Sequence, residues 1–274
     1  MKHYLITRFN LKNANWHISG SDQDVLSKQW LDHRFEIFES YCLPSVENQT
    51  CNSFTWLVCF DINTPKNYLK KIDDLNQQLS NFQPLFIDGF DHLESELSDY
   101  IKKDATQHQT HAITTRLDND DIIHKDFIKS IQELSEPNNA AINISSGYQL
   151  ILNNAHYSVR LVKKAFNPFM SVISTLENFE SVISKEHHHW KLHPNIIINH
   201  NDRLWIQFVH GNNILNDISK TSKKTSVFNA SEFGLKNIRI KEGKFEVILY
   251  NIVMYPQRLY HNLKQDIKHI FKAK

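Results

Sequence analysis

Apolar positions along the first half of the chain alternate between two periods, close to two residues and close to 3.6. His3 to Phe9 is a short apolar-rich run that predicts a first strand. Residues 22–43 then place Leu31, Phe35, Phe38 and Cys42 at helical spacing, behind Ser21 and Asp22 as caps. Phe54 to Phe60 is continuously apolar, which suits a strand covered on both faces in a parallel sheet. Thr64-Pro65 reads as an N-cap followed by proline in the first turn, and Leu69, Ile72, Leu75 and Leu79 form that helix's stripe. Pro84 to Asp88 predicts a third strand. Asp91 with Glu94 resembles a capping box ahead of Leu93, Leu97 and Ile101. His111 to Leu117 predicts a fourth strand that runs straight into Asp118, and the next helix turns Ile123, Phe127, Ile131 and Leu134 inward.

The second half is less regular. Ala141–Ser145, Tyr148–Asn153, Tyr157–Val162, Asn195–Asn199 and Leu204–His210 read as short strands of a mixed patch. Asn216 to Ser226 is polar and predicts a loop. After Pro256, Leu259, Leu263, Ile267 and Ile270 share one helical face, with Lys264, Lys268, Lys272 and Lys274 on or beside the polar side. The expected fold is α/β: a mostly parallel central sheet flanked by helices, a small mixed β patch and a C-terminal helix. We expect one domain over 1–274, with a nucleotide-binding half at 1–135 and an acceptor half at 136–274.

Composition changes this picture little. Hydrophobic residues make up 41% and charged residues 22%, and the net charge is +1, so no global field points to nucleic acid. Three cysteines, Cys42, Cys51 and Cys59, form no CxxC pair and read as reduced thiols of a cytosolic protein. Residues 1–8 lack the apolar stretch of a signal peptide. The lysine-bearing C-terminal helix leaves open a peripheral contact with anionic lipid at the inner membrane face. With only six glycines in the chain, no glycine-rich phosphate loop is present.

Ligands of such sheets gather beyond the carboxyl ends of the strands. Three places qualify: Thr7-Arg8-Phe9-Asn10, Asp61, and Asp118-Asn119-Asp120-Asp121. Three carboxylates within four residues repel one another and need a cation or helix amides nearby. Mn²⁺ or Mg²⁺ takes such oxygen ligands, with phosphates completing the shell. Asp118, Asp120 and Asp121 are therefore the candidate metal ligands, and capping of the following helix is the alternative. Arg116 either pairs with Asp118 or contacts phosphate. His187-His188-His189 lacks the company of a zinc site and reads as a loop, with His188, Glu177, Glu180 or Glu186 as candidate bases.

His111-Ala112-Ile113-Thr114-Thr115-Arg116-Leu117-Asp118-Asn119-Asp120-Asp121 resembles the TRxDxDD segment of a bacterial rhamnosyltransferase family. Other pieces agree in order: Thr7-Arg8-Phe9-Asn10, Trp30-Leu31 with Arg34 and Phe35, Leu43-Pro44-Ser45 with Gln49, Phe54 to Val58 with Asp61, Thr64-Pro65, Asn167-Pro168-Phe169, and Trp205 with His210-Gly211 and Asn213. The resemblance implies the GT-A glycosyltransferase fold, whose DxD motif binds metal and nucleotide diphosphate. It implies Arg8 and Asp61 near the nucleotide, and Asp61 is equally read as a turn residue. It also implies a late histidine at the metal, and His210 ends a strand just before Gly211, where a carbonyl hydrogen bond is the other reading. The implied reaction moves a sugar from dTDP-rhamnose, or a UDP or GDP sugar, to a glycan or lipid-linked glycan in surface polysaccharide synthesis. A nucleotidyltransferase and a non-catalytic nucleotide- or carbohydrate-binding module are the competing functions.

Overall fold

The computed structural model describes residues 1–13, 25–105, 108–153, 156–210, 222–260 and 263. Ser21, Asp22, Gly211, Asn213, Ile267, Ile270, the four lysines from Lys264 onward and residues 216–221 of the polar loop lie outside them. The first half is built from β1 (Lys2–Arg8), α1 (Lys28–Ile37), α2 (Leu43–Glu47), β2 (Thr55–Asp61), α3 (Lys66–Gln78), β3 (Phe82–Ile87), α4 (Leu93–Asp104) and β4 (His111–Arg116). These four strands are all parallel, in the order β3-β2-β1-β4. Alternation decides which core each side chain joins. Leu5, Trp56, Val58 and Phe60 pack on one face with Phe35 and Phe38, while Tyr4, Ile6, Leu57 and Cys59 pack on the other with Leu97 and Ile101.

The helix expected over 22–43 is α1 capped by the Ser27 hydroxyl, followed by a π-helical turn at Phe38–Cys42 and then α2. Pro44 explains the wide turn: it has no N–H for the regular ladder, and the extra residue absorbs the mismatch. Thr64 does not cap α3; its hydroxyl donates to the Asp61 carbonyl at 2.6 Å, and Pro65 holds the cap position. Nor does Glu94 close a capping box. Its carboxylate accepts the Ser181 N–H at 2.8 Å and also takes the Ser181 hydroxyl.

The second half comprises β5 (Ile122–Ile123), α5 (Phe127–Glu133), β6 (Ala140–Asn153), β7 (His156–Lys163), β8 (Ser171–Thr175), β9 (Ile196–Val209) and α6 (Lys244–Val253). Two expected strand pairs are each one long strand, β6 and β9. Gly147 and the polar run His200-Asn201-Asp202-Arg203 break the apolar pattern without ending either strand; the parallel β6–β9 ladder accommodates them with register shifts at 144–148. The mixed patch is not separate either. All nine strands form one sheet, β3-β2-β1-β4-β8-β6-β9-β5, with β7 on β6.

That order forces a curl. Four inter-strand steps separate β4 from β5, about 19 Å if the sheet were flat. The chain between them is only residues 117–121, roughly 20 Å when fully stretched, and it is turned back on itself by the Asp121 N–H bond to the Asp118 carbonyl at 3.0 Å. The sheet therefore bends until its second half faces the carboxyl end of β4.

His3, at the start of β1, is 1% exposed and shares a 2.8 Å hydrogen bond with the Thr115 hydroxyl. Burial pushes its pKa down to about 3, from 6.5 in the unfolded chain. The native state therefore resists a proton that the unfolded state accepts. This contribution is complete above pH 6.5 and is lost as pH falls toward 3, at about 1.4 kcal/mol per pH unit. Urea denaturation at pH 7, 6, 5 and 4 should give a shallower acid limb for His3→Gln by that amount; parallel limbs would contradict it.

Candidate active site

The carboxyl ends of β1 and β4 deliver the polar groups of the site. Asn119 locks the turn after β4 in place: its Nδ2 donates to the Arg8 and Phe9 carbonyls at 3.2 and 2.8 Å. Its Oδ1 accepts from Arg34 Nη1 of α1 at 2.9 Å. Arg34 is 7% exposed, and its guanidinium lies over the Trp30 ring at 4.9 Å.

Each aspartate of the turn has its own partners. Arg116 holds Asp118 in a two-pronged pair, with Nε at 3.1 Å from Oδ1 and Nη2 at 2.8 Å from Oδ2. Arg8 reaches the same carboxylate less closely, at 3.4 Å. Burial alone would raise the Asp118 pKa; Arg116 and Arg8 outweigh it and hold the carboxyl well below the usual range. Asp120 Oδ2 is 3.0 Å from Arg34 Nη1 and 3.3 Å from His210 Nε2. Asp121 is turned inward. It is 2% exposed, its Oδ1 accepts the Phe208 N–H of β9 at 3.1 Å, and burial followed by repulsion from Asp120 and Asp118 raises its pKa well above the usual value.

Among the described residues no group of three or more His, Cys, Asp or Glu side chains is arranged to hold a metal. Asp118 is held by two arginines and Asp120 by one, Arg34, while Asp121 faces the body. Asp120 with the His210 imidazole is the pair whose chemistry fits Mn²⁺ or Mg²⁺, as an ion that draws its remaining ligands from phosphate and water. His210 is 7% exposed, and the His33 ring stands 5.8 Å from it.

Several sequence-derived site residues are placed elsewhere. Thr7 has no exposed surface, and its hydroxyl accepts the Trp56 indole N–H at 2.9 Å, so it points into the core instead of toward a ligand. Asp61 is 1% exposed and belongs to a turn: Oδ1 accepts from Asn63 N and Nδ2 at 2.9 and 3.0 Å, and Oδ2 from Lys12 N at 3.2 Å. This geometry favours the turn reading of Asp61 over the base-binding one. Glu177 follows β8, which runs antiparallel to β4 with Thr175 opposite His111. It therefore lies beside the start of β4, roughly 20 Å along the strand from Asp118. Glu180 is occupied by Lys185 at 2.7 Å.

Glu186 comes closer. It lies near enough to Arg8 and Arg116 to favour their charged forms. It precedes a single 3₁₀ segment, His187–Leu192, on which His188 is exposed and His187 bonds the Phe166 carbonyl. Arg34, Asn119 and Glu186 carry more of the site than the sequence assigned to them. For Arg34 there was a signal: it sits between Leu31, Phe35 and Phe38 on the apolar face of its helix, where an arginine is out of place unless paired.

Residues 3–222 match the family model described as "Putative rhamnosyl transferase". No curated protein matches significantly. Among solved structures, TarS 1–349 of S. aureus with UDP-GlcNAc is similar at 13% identity and a TM-score of 0.46. That likeness covers 81% of this chain and 63% of the TarS chain, so this chain spans under two thirds of TarS 1–349. A 4-diphosphocytidyl-2C-methyl-D-erythritol synthase from Anaerococcus prevotii is similar at 11% identity over 94% of this chain and 96% of its own, with a TM-score of 0.38. The inositol-1-phosphate CTP transferase of T. maritima follows at 12% identity, 76% and 89% coverage and a TM-score of 0.33. With the family match extending over most of its length, the chain belongs to this rhamnosyl transferase family.

Proposed function

We propose that the protein transfers a sugar from a nucleoside-diphosphate donor to a glycan or lipid-linked glycan acceptor in the cytoplasm, with dTDP-rhamnose as the donor; the family description supports the rhamnosyl group and does not name the nucleotide. The observation that carries this reading is the Asp118–Asp121 turn with Arg8, Arg34, Arg116 and His210 drawn around it. A diphosphate suits such a setting. Arg8, the looser of the two partners of Asp118, is the guanidinium free to exchange a carboxylate for a phosphate oxygen. Asp120 and His210 would hold Mn²⁺ or Mg²⁺, which supplies charge stabilisation to a departing diphosphate.

In the reaction an acceptor hydroxyl oxygen bonds to the anomeric carbon. The bond from that carbon to the diphosphate oxygen breaks, and the hydroxyl proton passes to a base on the protein. Glu186 and His188 are the candidates, and the closeness of Glu186 to Arg8 and Arg116 supports it over Glu177.

Thermal-shift titration tests this with dTDP-rhamnose, UDP sugars and GDP sugars, each with Mn²⁺, Mg²⁺ or a chelator. A donor at a hundredfold excess over its Kd stabilises the native state by about 2.7 kcal/mol. We expect dTDP-rhamnose with Mn²⁺ to give the largest shift. His210→Ala should weaken the Mn²⁺-supported shift more than the Mg²⁺-supported one, because imidazole is the better ligand for Mn²⁺. Equal shifts in chelator would remove the metal, and saturation by another nucleotide sugar alone would replace the donor. Release of pyrophosphate from a nucleoside triphosphate and a sugar phosphate would make the protein a nucleotidyltransferase instead. Binding without transfer or hydrolysis would leave a non-catalytic module.

A further inference from the structure

Helix α6 is mounted the wrong way round for a helix of a water-soluble surface. Its inner side is largely polar: the Tyr250 hydroxyl accepts from Arg160 Nη1 at 2.7 Å, and Asn251 exchanges two hydrogen bonds with the Lys224 backbone at 3.0 and 2.9 Å. Only Val247 of this helix is buried. The outer side is apolar, with Phe245 77%, Ile248 57%, Leu249 52% and Ile252 64% exposed. These positions recur at three- and four-residue spacing, so they make one stripe. An amphipathic helix on a soluble protein normally turns that stripe inward.

Charge says what covers it. Residues 236–274 hold nine Lys and Arg against three Asp and Glu, a local net charge of +6 in a chain whose total is +1. The preceding 235 residues therefore sum to −5. No helix among the described residues is long and apolar enough to cross a membrane. An apolar stripe accompanied by concentrated positive charge matches a surface that is apolar inside and anionic outside.

We propose that α6 docks the protein on an anionic lipid bilayer, with Phe245, Ile248, Leu249 and Ile252 entering the headgroup boundary. This does not depend on the transfer reading, although a lipid-linked acceptor would give the docking a purpose.

The test is cosedimentation of the full chain with vesicles of phosphatidylcholine alone or with about 30% phosphatidylglycerol, an amount that gives a strongly anionic surface. Binding should require the anionic lipid and weaken with added salt. Ile248→Asp/Ile252→Asp should reduce it at least tenfold, and Lys241→Glu/Lys244→Glu, at and just before the exposed start of the same helix, by at least about fivefold per charge removed. Both variants should keep the wild-type melting temperature and nucleotide-sugar affinity, since Lys241, Lys244, Ile248 and Ile252 are exposed and none of them is among the partners of the turn at Asp118; that affinity is read separately, so a failed donor reading and a failed docking reading remain distinct. Absence of binding, binding indifferent to lipid charge, or binding retained by the Ile248→Asp/Ile252→Asp chain would each overturn the proposal. So would a lipid-free dimer that this variant dissolves, which would make the stripe an interface between copies.

Discussion

Asp120→Ala should lower donor affinity in Mn²⁺ by about 100-fold or more, beyond the 10–100-fold typical of groups one step removed from a metal. It should also lower the melting temperature, because Arg34 is nearly buried and would keep only Asn119 as its polar partner. The two effects separate in Asp120→Asn. An asparagine oxygen still accepts from Arg34, so most of the stability returns, while the negative charge that would hold the proposed divalent ion does not. Calorimetric titration with dTDP-rhamnose, alongside melting of both variants, checks this. Donor binding by Asp120→Asn at wild-type strength would remove Asp120 from the metal site.

The second large effect lies away from the site. A Cβ on Gly147 would fall 2.2–2.4 Å from three ring atoms of Trp205. That indole cannot yield: it is stacked on Phe169 at 4.8 Å, its N–H donates to the Ile144 carbonyl at 2.7 Å, and it is 2% exposed. Gly147→Ala should therefore cost about 1–3 kcal/mol from overpacking. At about 2–4 °C per kcal/mol for a chain of this size, the melting temperature should fall by roughly 2–12 °C. Gly147→Ala combined with Trp205→Leu should recover part of that loss. An unchanged melting temperature for the single variant would mean that the β6–β9 seam is looser than its packing suggests.

What the sequence makes legible here follows from contiguity. The Asp118–Asp121 cluster is read directly because it ends an apolar strand, and His210 because it ends another; the curl of the sheet brings them to 3.3 Å. Thr7 and Asp61 also end strands, but proximity to a strand end does not say which way a side chain turns. Thr7 faces Trp56, and Asp61 is consumed by its own turn. Glu177 lies beside the start of β4 for a topological reason that its neighbours in sequence do not reveal, since β8 runs antiparallel and carries it away from Asp118. Arg34 is legible only as an oddity on an apolar helical face, because its partners come 85 and 86 residues later. The long strands β6 and β9 are hidden by short polar interruptions that a register shift tolerates.

Surface loops usually absorb insertions cheaply, because closure entropy grows only slowly with length. The stretch 117–121 is not of that kind. It is a tether that spans the mouth of a curled sheet, anchored by the Ile6 carbonyl at its beginning and by Phe208 of β9 at its end. Lengthening it by a single residue would let the curl relax and carry Asp120 away from His210. The shortness of this connection sets the distance between the Asp120 carboxylate and the His210 imidazole, which stand side by side at 3.3 Å.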